Sequence, residues 1–219
     1  HIVREVSVNL HLQMKKTKTK KQGLFMDEKT TDNTEFNLSE IYKLRRAKLA
    51  TYLSANGLSA CIFIDREECR CPSLRYFTGH PADAIFVMNV DGKCILSPWD
   101  ENLANEMAVV NKIVPFTRYE RDYVKAASGL LKLLKVPGNT KVEIPSSISY
   151  PEFLHFVDGL SNYDVICKEE GTEAYATSLR AVKDEYELDC IRTASKITDK
   201  LVDIIEEKLR SGEIQTEID

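Results

Sequence analysis

The chain has 219 residues, with 30 Lys and Arg against 34 Asp and Glu and a net charge of −4. That length suits one ordinary domain plus additional segments, and the charge excludes a generic nucleic-acid binder. No apolar run approaches the roughly 18 residues that span a bilayer, and the start has no signal-peptide core. The six cysteines (Cys61, Cys69, Cys71, Cys94, Cys167 and Cys190) are scattered, several inside apolar runs, so no disulfide framework is expected. Cys69 and Cys71 lack the spacing and the second pair of a zinc site. These properties agree with a soluble cytoplasmic protein that binds neither nucleic acid nor membrane.

Taken in chain order, residues 1–37 read as a disordered or artificial leader. Val6, Val8, Leu10 and Leu12 alternate with polar residues, and a lysine block follows over 15–21, read as a solvated tail rather than a nucleic-acid arm. Met26 followed by polar residues resembles a native start, which would make residues 1–25 extraneous. From residue 38 the pattern sharpens. Ser39 precedes an amphipathic helix over 40–53 that ends near Asn56-Gly57. Residues 60–64 form a short apolar run that reads as a buried strand. Residues 84–90 and 93–97 flank Asp91-Gly92, a strong hairpin signal. The pattern then predicts a helix over 101–109, a strand over 112–116, a helix over 121–134, a strand over 140–144, a helix over 151–160 and a last strand over 163–168. Strands alternating with helices imply an α/β fold with a mixed sheet sandwiched by helices over residues 38–172.

Residues 173–219 read as a linker and one long helix. Asp184, with Glu187 three residues on, fits an N-cap and capping box. Leu188, Ile191, Ala194, Ile197, Leu201, Ile205 and Leu209 recur every three or four residues and share one face. Lys208 and Arg210 suit the negative end of the helix dipole, and Gly212 supplies a stop. The pattern predicts one continuous helix over about 183–211, whose apolar stripe packs on another copy of the chain or on the N-terminal domain.

The stretch LRAVKDEYELDCIRTASKITDKLVDIIEEKLRSGEIQTEI resembles the entry to the catalytic domain of the creatinase/prolidase/aminopeptidase P family. Arg180, Lys183, Glu187, Ile191, Arg192 and Ala194 stand where that pattern wants them, as do Thr216, Glu217 and Asp219. Gly212 fits loosely, lying four residues before Thr216 rather than two. Upstream, Leu74-Arg75-Tyr76-Phe77-Thr78-Gly79 is similar to the family's segment ending in Y-L-T-G, followed by an apolar strand and the Asp91-Gly92 turn. The resemblance covers roughly residues 40–219. It implies a ribonuclease-H-like creatinase N-terminal domain, followed by a long helix that opens a truncated pita-bread catalytic domain. It also implies a homodimeric Xaa-Pro metallopeptidase, with two divalent ions (Mn, Co or Zn) held by two Asp, one His and two Glu beyond residue 219. The role left to this chain is dimerisation and walling the active site, and the fragment alone is expected to be inactive. Two alternatives remain: a non-catalytic binding domain, and a metal-free creatinase-like hydrolase.

Within the chain itself no catalytic constellation is visible, and no residue is assigned as catalytic or as a metal ligand. There is no glycine-rich phosphate loop, no H-E-x-x-H and no G-x-S-x-G. His155 reads as a structural helix residue, and Trp99 as core or surface anchor. The family resemblance places the loop after Gly79 near a substrate, so Arg75, Gly79, His80 and Asp83 are the substrate-proximal candidates. His80 would serve a peptide carbonyl or carboxylate, and Asp83 a free amino terminus. The bland alternative is a connector between two strands.

Overall fold

The computed structural model describes residues 36–212; residues 1–35 of the leader and the Thr216–Asp219 motif lie outside them. Helix α1 (Leu38–Ala55) opens the domain. Its cap is Asn37, whose side chain accepts from the Glu40 amide at 3.3 Å, not Ser39, which lies inside the first turn. The helix buries Tyr42, Arg45, Arg46, Leu49 and Leu53, a spacing of three to four residues that defines one face.

Strand β1 (Ala60–Asp65) follows, then helix α2 (Pro72–Thr78) in the segment containing the Tyr76-Phe77-Thr78-Gly79 motif. Pro72 suits the first turn, where an amide would have no partner. Gly79 ends α2 in the left-handed region at φ 79°. A Cβ there would also come within 3.0 Å of both the Met107 carbonyl and the Tyr42 hydroxyl, so the turn needs glycine twice over. Strands β2 (Ala84–Asn89) and β3 (Cys94–Pro98) form the predicted hairpin. Helix α3 (Glu101–Met107) is capped by Asp100, and β4 (Lys112–Ile113) is shorter than the five residues the apolar pattern suggested. Phe116 leaves the strand to begin a 3-10 turn (Phe116–Tyr119) and fills the core instead. Helix α4 (Tyr123–Leu133), β5 (Lys141–Glu143), α5 (Tyr150–Gly159) and β6 (Asp164–Ile166) complete the alternation.

The six strands make one sheet in the order β4-β3-β2-β1-β5-β6. β1 pairs antiparallel with β2 and parallel with β5, so every strand except β2 runs the same way. Alternation along the strands divides the core. Cys61, Phe63, Phe86, Met88 and Leu96 face α1, α2 and α3, while Ile62, Ile85, Val87, Ile95 and Val142 face α4 and α5. This is the expected mixed sheet with helices on both faces.

Two helices follow. Helix α6 (Thr172–Ala181) occupies a stretch read from sequence as linker. It belongs to the first core layer: Ala176 is buried there, and the Tyr175 ring stacks on Tyr52 at 4.3 Å. Glu143, at the end of β5, accepts from the Thr172 amide at 3.0 Å and so binds the start of α6. Gly171 permits that approach, since a Cβ would lie 2.2 Å from the carboxylate. Helix α7 (Glu185–Ser211) is the predicted continuous helix, with both capping-box bonds formed and Gly212 at its end. Its stripe is not covered by the domain: none of its residues is fully buried.

Candidate functional site

Because five strands run one way, their carboxyl ends and the starts of α3, α4 and α5 gather at one edge. β1 and β5 are parallel neighbours where the chain order across the sheet switches, the place at which such sheets form ligand crevices. A cleft of about 210 Å³ opens there, lined by Ile64, Arg66, Cys69, Pro145, Ser147, Ile148, Ser149 and Glu152. Arg66 pairs with Glu152 across it, and the buried Arg66 Nε has no hydrogen-bond partner.

From this cleft a row of rings and guanidinium groups runs along the edge. Arg66 lies over Tyr123 at 4.4 Å, Tyr123 packs on Phe116 at 4.8 Å, and Phe116 packs on Trp99 at 6.1 Å. Arg121 covers Trp99 at 4.4 Å. Arg121 and Glu120 both adopt positive φ, 58° and 55°, strained for side chains of this kind. Helix α4 therefore starts at Tyr123, after an Asp122 cap, rather than at residue 121. Trp99 remains 50 % exposed, so it is a surface anchor rather than a core residue.

Beside this row lies an acidic pair bridged by Arg70, 2.8 Å from Asp83 and 3.5 Å from Asp65. Asp65 is buried and also accepts from the Cys71 amide at 3.0 Å. Burial pushes its carboxyl above the ordinary range, against the opposing pull of the Cys71 amide and Arg70. The Trp99 amide donates to the Asp83 carbonyl at 2.9 Å, which joins the two groups.

The four sequence candidates do not meet as one site. Asp83 stands on the carboxyl edge, held by Arg70. Gly79 is the α2 cap. Arg75 is exposed on α2, within electrostatic reach of Tyr42 and Cys190. His80 has no exposed surface, and neither ring nitrogen has a hydrogen-bond partner. Burial drives its pKa down to about 4, against the pull of Asp100 and Asp83, so a neutral ring holds the loop in place. The loop joins a helix to a strand, not two strands. His155 lies on the exposed side of α5. Arg66, Arg70, Arg121 and Tyr123 carry no local motif, and only the sheet order brings them beside Asp83 and Trp99. The edge offers stacking surfaces and charged donors. Among the described residues no group of three or more His, Cys, Asp or Glu is placed to hold a metal ion, so the paired ions implied by the resemblance have no fitting donor set here. No helix among those residues is long and apolar enough to cross a membrane.

Sheet order, two-sided helical cover and the long exit helix define an α/β domain with a six-stranded mixed sheet. Residues 45–147 match the model of the Creatinase/Prolidase N-terminal domain, and this stretch is similar to that domain. Solved structures agree in fold. An XXA-Pro aminopeptidase from Streptococcus pyogenes aligns over 64% of this chain and 99% of its own, at 14% identity and a TM-score of 0.50. The X-Pro aminopeptidase of Thermotoga maritima aligns over 66% of this chain and 38% of its own, at 16% identity and 0.52. The prolidase of Pyrococcus horikoshii OT3 aligns over 73% of this chain and 41% of its own, at 17% identity and 0.53. The chain therefore spans well under half of the latter two proteins. No curated protein matches it.

Proposed function

We propose that this chain is the N-terminal, dimerising and substrate-walling portion of a metal-dependent Xaa-Pro aminopeptidase or dipeptidase that works as a cytoplasmic homodimer. The observation that carries the reading is the family match over residues 45–147, supported by the likeness in fold to proteins described as X-Pro aminopeptidase and prolidase. All six cysteines are free thiols, which suits a reducing compartment. Two divalent ions would be held by residues beyond this chain and would activate a water there; the domain contributes binding surface only. Of the substrate-proximal group Arg75, Gly79, His80 and Asp83, the residue offered to a peptide is Asp83, on the carboxyl edge beside Trp99. Gly79 and His80 shape its loop.

The purified chain, assayed on Xaa-Pro di- and tripeptides with Mn²⁺, Co²⁺ or Zn²⁺, is expected to release no product. Metal-stimulated release of the N-terminal residue by material free of host peptidases would overturn the reading. Coding sequence read past residue 219 is expected to supply the two Asp, one His and two Glu.

A further inference from the structure

Helix α7 is attached to the domain only by its beginning. Tyr186, Glu187, Leu188, Cys190 and Thr193 are half-buried, and every described residue from Ala194 onward is exposed. The link from α6 runs through exposed Val182 and Lys183, so it sets no direction. A half-open groove of about 540 Å³ beside the junction, lined in part by Ile41, Leu44, Leu179 and Val182, leaves that side underpacked. The direction of α7 therefore rests on what its first two turns touch.

At the centre of that contact is Arg45 of α1, 5% exposed. Its guanidinium lies 4.2 Å over the Tyr76 ring and donates to the Tyr76 carbonyl at 3.1 Å. The other edge donates to Asp184 Oδ2 at 3.0 and 2.6 Å and lies 3.3 Å from Glu187 Oε2. These two acids are also the capping box. Asp184 Oδ1 accepts the Glu187 amide at 2.9 Å, and Glu187 Oε2 accepts the Asp184 amide at 3.2 Å. Each carboxylate thus closes the helix start and binds the same buried cation. A guanidinium as buried as Arg45 is strongly disfavoured without its acids, and the two carboxylates, partly open to solvent, repel each other without it.

We infer that Arg45 is the clamp that fixes the direction of α7 relative to the domain. It is a positioning residue whose planar fork serves Tyr76, Asp184 and Glu187 together, which a lysine ammonium does not reproduce. The inference goes beyond the proposed function and rests on it only for one consequence: a catalytic segment carried by α7 would take its distance from the wall from this clamp.

Hydrogen exchange on the whole chain tests it, with Arg45→Met and with the double substitution Asp184→Asn/Glu187→Gln. The double substitution keeps an acceptor oxygen for each capping-box bond, while it removes both charges and replaces the Asp184 oxygen that faces Arg45 with an NH2. In both, amides of residues 187–193 are expected to exchange about tenfold faster or more, while those of β1 and β2 keep their rates. Unchanged protection of residues 187–193 in both variants overturns the clamp. Should Arg45→Met loosen the whole domain, the β1 and β2 amides report it and the double substitution decides. Peptidase activity does not enter the readout, so this inference and the proposed function fail separately.

Discussion

His80 and Glu143 are buried ionisable side chains, and each keeps a polar atom without a partner. They push stability in opposite directions with pH. The folded His80 has its pKa lowered from 6.5 to about 4, so between those values the unfolded chain holds the extra proton and stability falls on acidification. The whole window corresponds to on the order of 3 kcal/mol. Glu143 is shifted upward by burial, against the Thr172 hydrogen bonds and Lys168. It keeps its proton longer in the folded chain, and its contribution is lost as pH rises through the raised value. His80→Leu is therefore expected to reduce the acid sensitivity without lowering the melting temperature near neutrality. Glu143→Gln is expected to steepen the loss on acidification, because it removes one of the two raised carboxyls, Glu143 and Asp65, that oppose His80. Thermal melts followed by circular dichroism from about pH 8 to about pH 4 measure both. A His80→Leu variant with the parent's pH slope would show that the ring is solvated in the folded chain.

The elements divide by how local their causes are. The β2–β3 hairpin and the α7 capping box were legible because adjacent residues produce them: Asp91-Gly92 for the turn, Asp184 with Glu187 for the cap. Helix α6 was not legible as part of the domain, because what binds it is distant: Tyr52 beneath Tyr175, and Glu143 at its first amides. The candidate site was legible only at Asp83, with Trp99 noticed but discounted. Its other members, spread from Arg66 to Glu152, meet through sheet order, which no local pattern records. The start of α1 tests a case where two neighbouring residues compete for one role. Asn37→Ala removes the side chain that accepts the Glu40 amide and is expected to cost about 1 kcal/mol. Ser39→Ala, inside the first turn, is expected to change stability by a few tenths at most. Urea unfolding of the two variants separates them, and equal losses would place the cap elsewhere.

At the scale of the whole molecule the unresolved tension is α7. The domain beneath it is well filled, with Phe63, Phe77 and Phe86 fully buried on one side of the sheet and Phe116 and Phe156 on the other. The helix instead presents Ile191, Ile197, Leu201, Val202, Ile204, Ile205 and Leu209, each between 44% and 60% exposed. The expectation that the chain's own N-terminal domain covers this stripe is not met, since contact ends with the first turns. Full burial of one such side chain is worth about 1.5–3 kcal/mol, so several together provide a strong drive to associate. A helix projecting without tertiary support also gains little from propensity alone. The purified chain is therefore expected to self-associate through α7, and deleting residues 183–219 is expected to return a monomer that keeps the sheet. Light scattering across a concentration series reads the first effect, and circular dichroism checks that the domain survives the cut. If the deleted form and the parent show the same number of chains per particle and the same solubility, the stripe is not an association surface, and the exposed side chains are carried at no measurable cost.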